Sequence, residues 1–352
     1  MTISTSAPTN VLELLVPGLL GPIPPRQGQP LSTPTLDRLL ARGRPSATPT
    51  TDVTTALLAR FDADASAPYS LAADDPSWDH TDFCMHAAPV HLRPDRDLLR
   101  LFDARHLGIS QAEADALTAE LNAHFAPDGL RFTAPSTSRW YLFCQQPPTL
   151  KAQPLERVIG QHVDGLLPTG DDAARWAQLM NEAQMLLFQS PVNQQRESSG
   201  RPPVNGLWTW GGGVWRALAD AAPTDRLPAC LQARSPLALG LAAAAGVTVE
   251  SPDAAWETQA GSYLVVLEQF RDALLDTDDR AWSAAAEALD HWLAPAVDAL
   301  RAGRLDEIII DACDGRRWSL CRADLRRFWP RNWGRPWRRS KSLADLAQQQ
   351  TG

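Results

Sequence analysis

The sequence predicts a mixed α/β protein. Three observations carry that prediction: apolar runs of strand length alternate with longer amphipathic stretches, a capping box opens one of these, and Asp314-Gly315 joins two strand-like runs near the end. Alternation of strands and helices is the pattern of an α/β chain.

In order, Asn10–Leu20 reads as a first buried strand, apolar and bounded by Pro and Gly. Thr33–Gly43 reads as a helix, with a Thr-Pro start and Leu36, Leu39 and Leu40 on one face. A further helix is expected around Thr54–Phe61. Pro89–Leu92 and Leu98–Phe102 are apolar pieces flanking the charged segment Arg93–Asp97. Ser110–Phe125 is a helix with Ser110 as N-cap and Glu113 closing the box. Gly129–Ala134 and Arg139–Gln145 read as a strand pair, so residues 82–150 form a small α+β module. Asp171–Gln189 is a second strong helix, and Gly206–Trp210 a short strand ending in Gly211–Gly213. Ser235–Gly246, Ser262–Glu268 and Arg280–Arg301 read as helix, strand and long amphipathic helix. Glu307–Ala312 and Arg317–Cys321 then pair across the Asp-Gly turn.

Composition bounds the function classes. The chain has 352 residues, 44% apolar and 21% charged, which excludes a mostly disordered chain. The net charge of −8 argues against a polyanion binder at the level of the whole protein. No apolar stretch approaches the roughly 20 residues of a spanning helix, and Glu13 and Pro17 break the N-terminal run, against a secretory signal. Five cysteines, odd in number and without a CxxC pair, read as reduced thiols of a cytoplasmic protein.

Several stretches together resemble one family. TPTLDRLLARG resembles the helix after the first strand in alkaline-phosphatase-superfamily enzymes, including cofactor-independent phosphoglycerate mutases. GISQAEADALTAELNAHF and GLRFTAPSTSRWYLF are similar to the helix-plus-hairpin insert of the archaeal-type mutases. QSPVNQQRESSGRPPVNGLWTWGGG closely resembles another stretch of that branch, and AAPVHLRPDRDLLRL is similar to a segment of the RpfE-type regulatory proteins. The resemblance implies a three-layer α/β/α sandwich with an inserted α+β cap. Its expected parts are 1–81 and 171–321 as core, 82–170 as cap, and 322–352 as a basic arm.

The resemblance also implies two divalent metals (Mn, Zn or Mg) and a phosphorylated Ser or Thr. Carboxylate and His ligands are indispensable to such chemistry. Where the first ligand turn is expected, Pro17 replaces an Asp and Gly21 stands where a second Asp often lies. Asp272 follows the late strand without its Gly-His, and Asp311 closes the last core strand without its His. The cap's polar pair is replaced in Pro147-Pro148-Thr149-Leu150. No metal or other cofactor is therefore expected. The alternative is an active phosphomutase or phosphatase with displaced ligands drawn from Asp272, Asp276, Asp311, Asp314 and His91.

Other constellations carry weaker chemistry. His80, Cys84, His86 and His91 are zinc-ligand types, but their spacing matches no standard module. His91, Arg93 and Arg96 suit a phosphate or acidic ligand, against a self-neutralising turn. Asn193 and Arg196 match the resembled motif and either hold a ligand or fix a loop. Trp208 and Trp210 either line a ligand wall or pack in the core. Residues 316–341 carry a local charge of +9 with four tryptophans interleaved, leaving −17 on the rest. That combination suits an anion, a nucleic acid, or the acidic body itself. The leading expectation is a binding or regulatory protein with a small phosphorylated ligand or a protein partner.

Overall fold

Apolar residues recur with the periods of the elements they form. From the amino end run β1 (Val11–Leu15), α1 (Pro34–Arg42), β2 (Arg44–Ala47) and α2 (Val53–Phe61). The middle holds α3 (Ala67–Asp74), β3 (Cys84–Asp95), β4 (Leu98–Asp103), α4 (Gln111–Phe125), β5 (Leu130–Ser136) and β6 (Arg139–Cys144). It continues with α5 (Ala173–Gln189), α6 (Pro191–Ser198) and β7 (Gly206–Gly213). Next come β8 (Cys230–Gln232), α7 (Pro236–Ala245), β9 (Thr248–Glu250), β10 (Ser262–Val266), α8 (Gln269–Leu275) and α9 (Asp279–Ala302). The chain closes with β11 (Glu307–Asp311), β12 (Arg316–Cys321), α10 (Arg322–Leu325) and α11 (Leu343–Gln348). This computed structural model describes residues 10–23, 31–95, 98–219, 227–251, 254–257, 261–326 and 342–348.

Contacts divide the chain into two units, 1–61 with 218–352, and 62–217. The first unit is built on a seven-stranded sheet in the order β2-β12-β11-β1-β10-β8-β9. Strands β11, β1, β10, β8 and β9 run parallel, while β12 and β2 add an antiparallel edge. Leu12 and Leu14 of β1, with Ile308, Ile310 and Val265 of its neighbours, pack on α1 and α9 in one core. The alternate residues, Glu13 and Leu15, face the other side. Arg60 of α2 reaches Glu13 there, and α7 packs against α2, so helices cover both faces. That is the expected α/β/α sandwich. At its core Asp290 of α9 accepts from the Leu36 N–H at 2.7 Å, supplying the N-terminal cap that Thr33 does not give α1.

The second unit carries a sheet in the order β4-β3-β6-β5, with β7 also paired to β3. Helix α4 lays Leu117, Leu121 and Phe125 on the β5–β6 hairpin, and its capping box is present as read. Trp176 of α5 donates to Thr209 of β7 at 2.8 Å. These contacts explain a difference from the expected division. Residues 171–217 belong with the second unit because β7 completes its sheet, and α3 joins it because Asp74 binds Arg139 and Tyr141. The glycines Gly211–Gly213 continue β7 rather than ending it.

Trp140, Trp176, Trp256 and Trp282 are buried, as expected of packed faces, while Trp78 and Trp292 are partly buried. In the expected arm, α11 buries Leu343 and Ala347 in the first unit's core, and the Leu343 N–H donates to Asp37 at 2.8 Å. The arginines and tryptophans from Arg327 to Lys341 lie outside the described residues. No helix among the described residues is long and apolar enough to cross a membrane, and no disulfide joins the cysteines.

Candidate functional site

Open α/β sheets present ligands at the carboxyl ends of their parallel strands. Here that edge is formed by the turns after β1, β10 and β11. The amino end of α2 lies beside the last of them, since Thr48 N–H donates to Gly315 at 2.9 Å and Gly315 N–H to Thr50 at 3.0 Å.

The turn after β1 leaves no room for a carboxylate at two of its positions. Gly18 has φ +85°, and a Cβ there would lie 2.7 Å from the backbone nitrogen of Arg271. Gly21 has φ +78°, and a Cβ would overlap the carbonyl oxygen of Ala347. Both positions require glycine. Immediately before them the chain passes through Pro17, whose ring offers no ligand atom.

The surviving carboxylates are already engaged. Asp272 lies on α8 and pairs with Arg271 at 3.0 Å, and the same guanidinium reaches Glu268 at 2.9 Å. Asp311, at the end of β11, accepts the Cys313 N–H at 2.8 Å. Burial pushes the Asp311 carboxyl up, against the stabilising Cys313 N–H and the Arg317 charge. Asp314 turns back onto Arg316 of the same hairpin. Asp276 closes α8, its N–H bonded to Asp272 O at 3.0 Å. His91 belongs to the second unit, where Nδ1 contacts the Pro203 carbonyl at 2.9 Å. Among the described residues no three His, Cys, Asp or Glu side chains converge as a metal site. The residues of this edge do not fit a paired-metal centre.

Inward of that edge, one face of the sheet carries a charged cluster that the sequence alone does not announce. Glu13 stands in the middle of β1, 8% exposed, between Ile309 and Leu264 of the flanking strands. Its carboxylate accepts from Arg60 Nε at 2.9 Å and faces Arg317 Nη2 at 3.2 Å. Arg317 is also the cross-strand partner of Asp311. The available signal was Glu13 itself: a charge inside an apolar, parallel-sheet strand demands a buried partner. The sequence reading used it only to interrupt an apolar run.

Most of the ligand-binding candidates of the second unit make contacts within the fold. Asn193 is buried and bridges the Leu187 and Val204 carbonyls at 2.7 and 2.8 Å while accepting from Val204 N–H at 2.9 Å. Arg196, wholly buried, donates to the Pro202 and Leu107 carbonyls and to Glu113 at 3.0 Å. A guanidinium so committed holds the loop before β7 against the start of α4. Trp208 donates to the Gln153 carbonyl at 3.0 Å, and Trp210 stacks on His86 at 4.3 Å. Arg93 lies 4.6 Å over the Phe102 ring, and Arg96 is outside the described residues. Of the zinc-type residues, His86 is held neutral, its pKa pushed down to about 3 by burial and the nearby Arg139 charge.

The α/β/α fold and this edge define the class. No family model matches the chain. It is similar to the 2,3-bisphosphoglycerate-independent phosphoglycerate mutase of Methanosarcina mazei, 26% identical over 206 residues that make up 53% of this chain and 49% of that protein. The probable enzyme of the same name from Geobacter sulfurreducens is 25% identical over 234 residues, 63% of this chain and 59% of that protein. The chain thus spans about half the length of the curated relatives it matches. The solved structure of the PH0037 protein from Pyrococcus horikoshii superposes with a TM-score of 0.51 at 16% identity, covering 93% of this chain and 92% of that one, a likeness of fold. The chain is phosphoglycerate-mutase-like in sequence.

Proposed function

We propose that this protein is a mutase-like scaffold that works by binding, in a regulatory role in the cytoplasm, with a small phosphorylated molecule as ligand. One observation carries the reading: at the carboxyl edge of the first sheet, Pro17, Gly18 and Gly21 offer no ligand atoms while Asp272 and Asp311 are already engaged. Phosphoryl transfer through two metals needs several converging acidic and His ligands, and this edge does not supply them. The similarity of the segment AAPVHLRPDRDLLRL to RpfE-type regulatory proteins supports the regulatory part, and the cysteine spacing supports a reducing compartment.

The test is turnover. Purified protein given 3-phosphoglycerate, or a generic phosphomonoester, with added Mn, Mg or Zn is expected to show no mutase or phosphatase activity above a metal blank. Sustained turnover abolished by Asp311→Asn would establish the displaced-ligand enzyme instead.

A further inference from the structure

We propose that Arg60 and Arg317, gathered around Glu13, form a metal-independent site for a phosphate dianion, free or as a phosphomonoester. The inference rests on the binding role proposed above and names the chemistry of its site.

Two guanidinium groups converge on one carboxylate at 2.9 and 3.2 Å. Each commits one nitrogen to Glu13, and among the described residues no other hydrogen bond is made by either group. Two cations share one buried anion, with Asp311 the next acid near Arg317, and they leave several directed N–H groups in a partly covered place. The Arg60 and Arg317 side chains are 20% and 35% exposed, so solvent and a small solute reach them, whereas Glu13 is shut beneath. Planar guanidinium forks match the oxygen spacing of phosphate, and two from different elements grip it from two sides.

Placement supports a ligand more than a structural bridge. A strand flanked by Leu264 and Ile309 is served better by a leucine at position 13 than by a buried ion pair, which seldom improves stability over a well-packed apolar side chain. The charged competitors are few. Asp311, opposite Arg317, is turned onto Cys313, and Asp314 is held by Arg316.

Inorganic phosphate titrated calorimetrically into the full chain, with EDTA present, tests the site. Saturable binding is expected, weakened about tenfold or more in Arg317→Gln and in Arg60→Gln by loss of charge-assisted hydrogen bonds. Glu13→Gln is expected to tighten binding about tenfold, because it removes the competing carboxylate and keeps the side-chain shape. Circular dichroism confirms folding, and the more exposed Arg317→Gln serves if the Glu13 variant does not fold. Equal phosphate affinity in wild type and Arg317→Gln, or no binding at all, overturns the inference while leaving a non-catalytic role intact. Phosphate binding that appears only with added Mn, accompanied by turnover, overturns both.

Discussion

Two arginine centres of this molecule show opposite uses of the same side chain. In the second unit, Arg196 is wholly buried and spends its donors on Pro202, Leu107 and Glu113. In the first, Arg60 and Arg317 share one buried carboxylate and remain partly open to solvent. Arg196 holds the loop before β7 against the start of α4. The Arg60 and Arg317 pair instead gathers on a carboxylate in the middle of β1. A shared fold does not by itself carry a shared chemistry, because function resides in sites grafted onto folds.

The largest expected effect breaks the closed centre. Arg196→Met should destabilise by about 3–5 kcal/mol, since Glu113 and two carbonyls lose their buried donor. Denaturant unfolding followed by tryptophan fluorescence measures it, and a loss under 1 kcal/mol would show that water replaces the guanidinium freely.

The open centre should yield less. Glu13→Ala leaves two partly exposed guanidinium groups that solvent can partly satisfy, so about 2 kcal/mol is expected on the same scale.

A pH-dependent term of similar size comes from His86. Its folded-state pKa of about 3 lies well below the ordinary 6.5, so the unfolded chain binds more protons between those values. This residue therefore contributes its full stability above pH 6.5 and loses it as the pH falls, by about 2 kcal/mol at pH 5. Stability curves of wild type and His86→Phe should converge as the solution is acidified from pH 7 to pH 5. Parallel curves would refute the assignment.

The smallest effect concerns the α4 cap that places Glu113 beside Arg196. Ser110→Ala should cost about 1 kcal/mol, and chemical unfolding in parallel with Arg196→Met shows whether the two losses add. Coupling is expected, because Glu113 serves both the cap and the guanidinium.

Local chemistry made much of this fold legible. Ser110 with Glu113, the Thr-Pro start of α1, the apolar face of α9 and the Asp314-Gly315 turn each specify an element through short-range physics, and each is present. Strand β2 was not legible: it is exposed throughout and forms by pairing with β12 at the sheet edge, so it carries no apolar signature. The contact division of the chain differs from the expected one for a related reason. The pairing of β7 with β3 joins segments more than a hundred residues apart, and nothing in Gly206–Gly213 alone names its partner. At the candidate site, the lost ligand types could be read position by position. The Arg60–Glu13–Arg317 cluster could not, because its members come from a helix and two strands that meet only when the sheet assembles.

The misfit of the first sheet's carboxyl edge to paired metals underlies the binding role proposed above. Titration of metal-free protein with Mn, followed by the loss of free-ion paramagnetic resonance signal, tests it most directly. The account predicts no stoichiometric uptake at micromolar metal, whereas two ions bound per chain and lost on Asp311→Asn would contradict it.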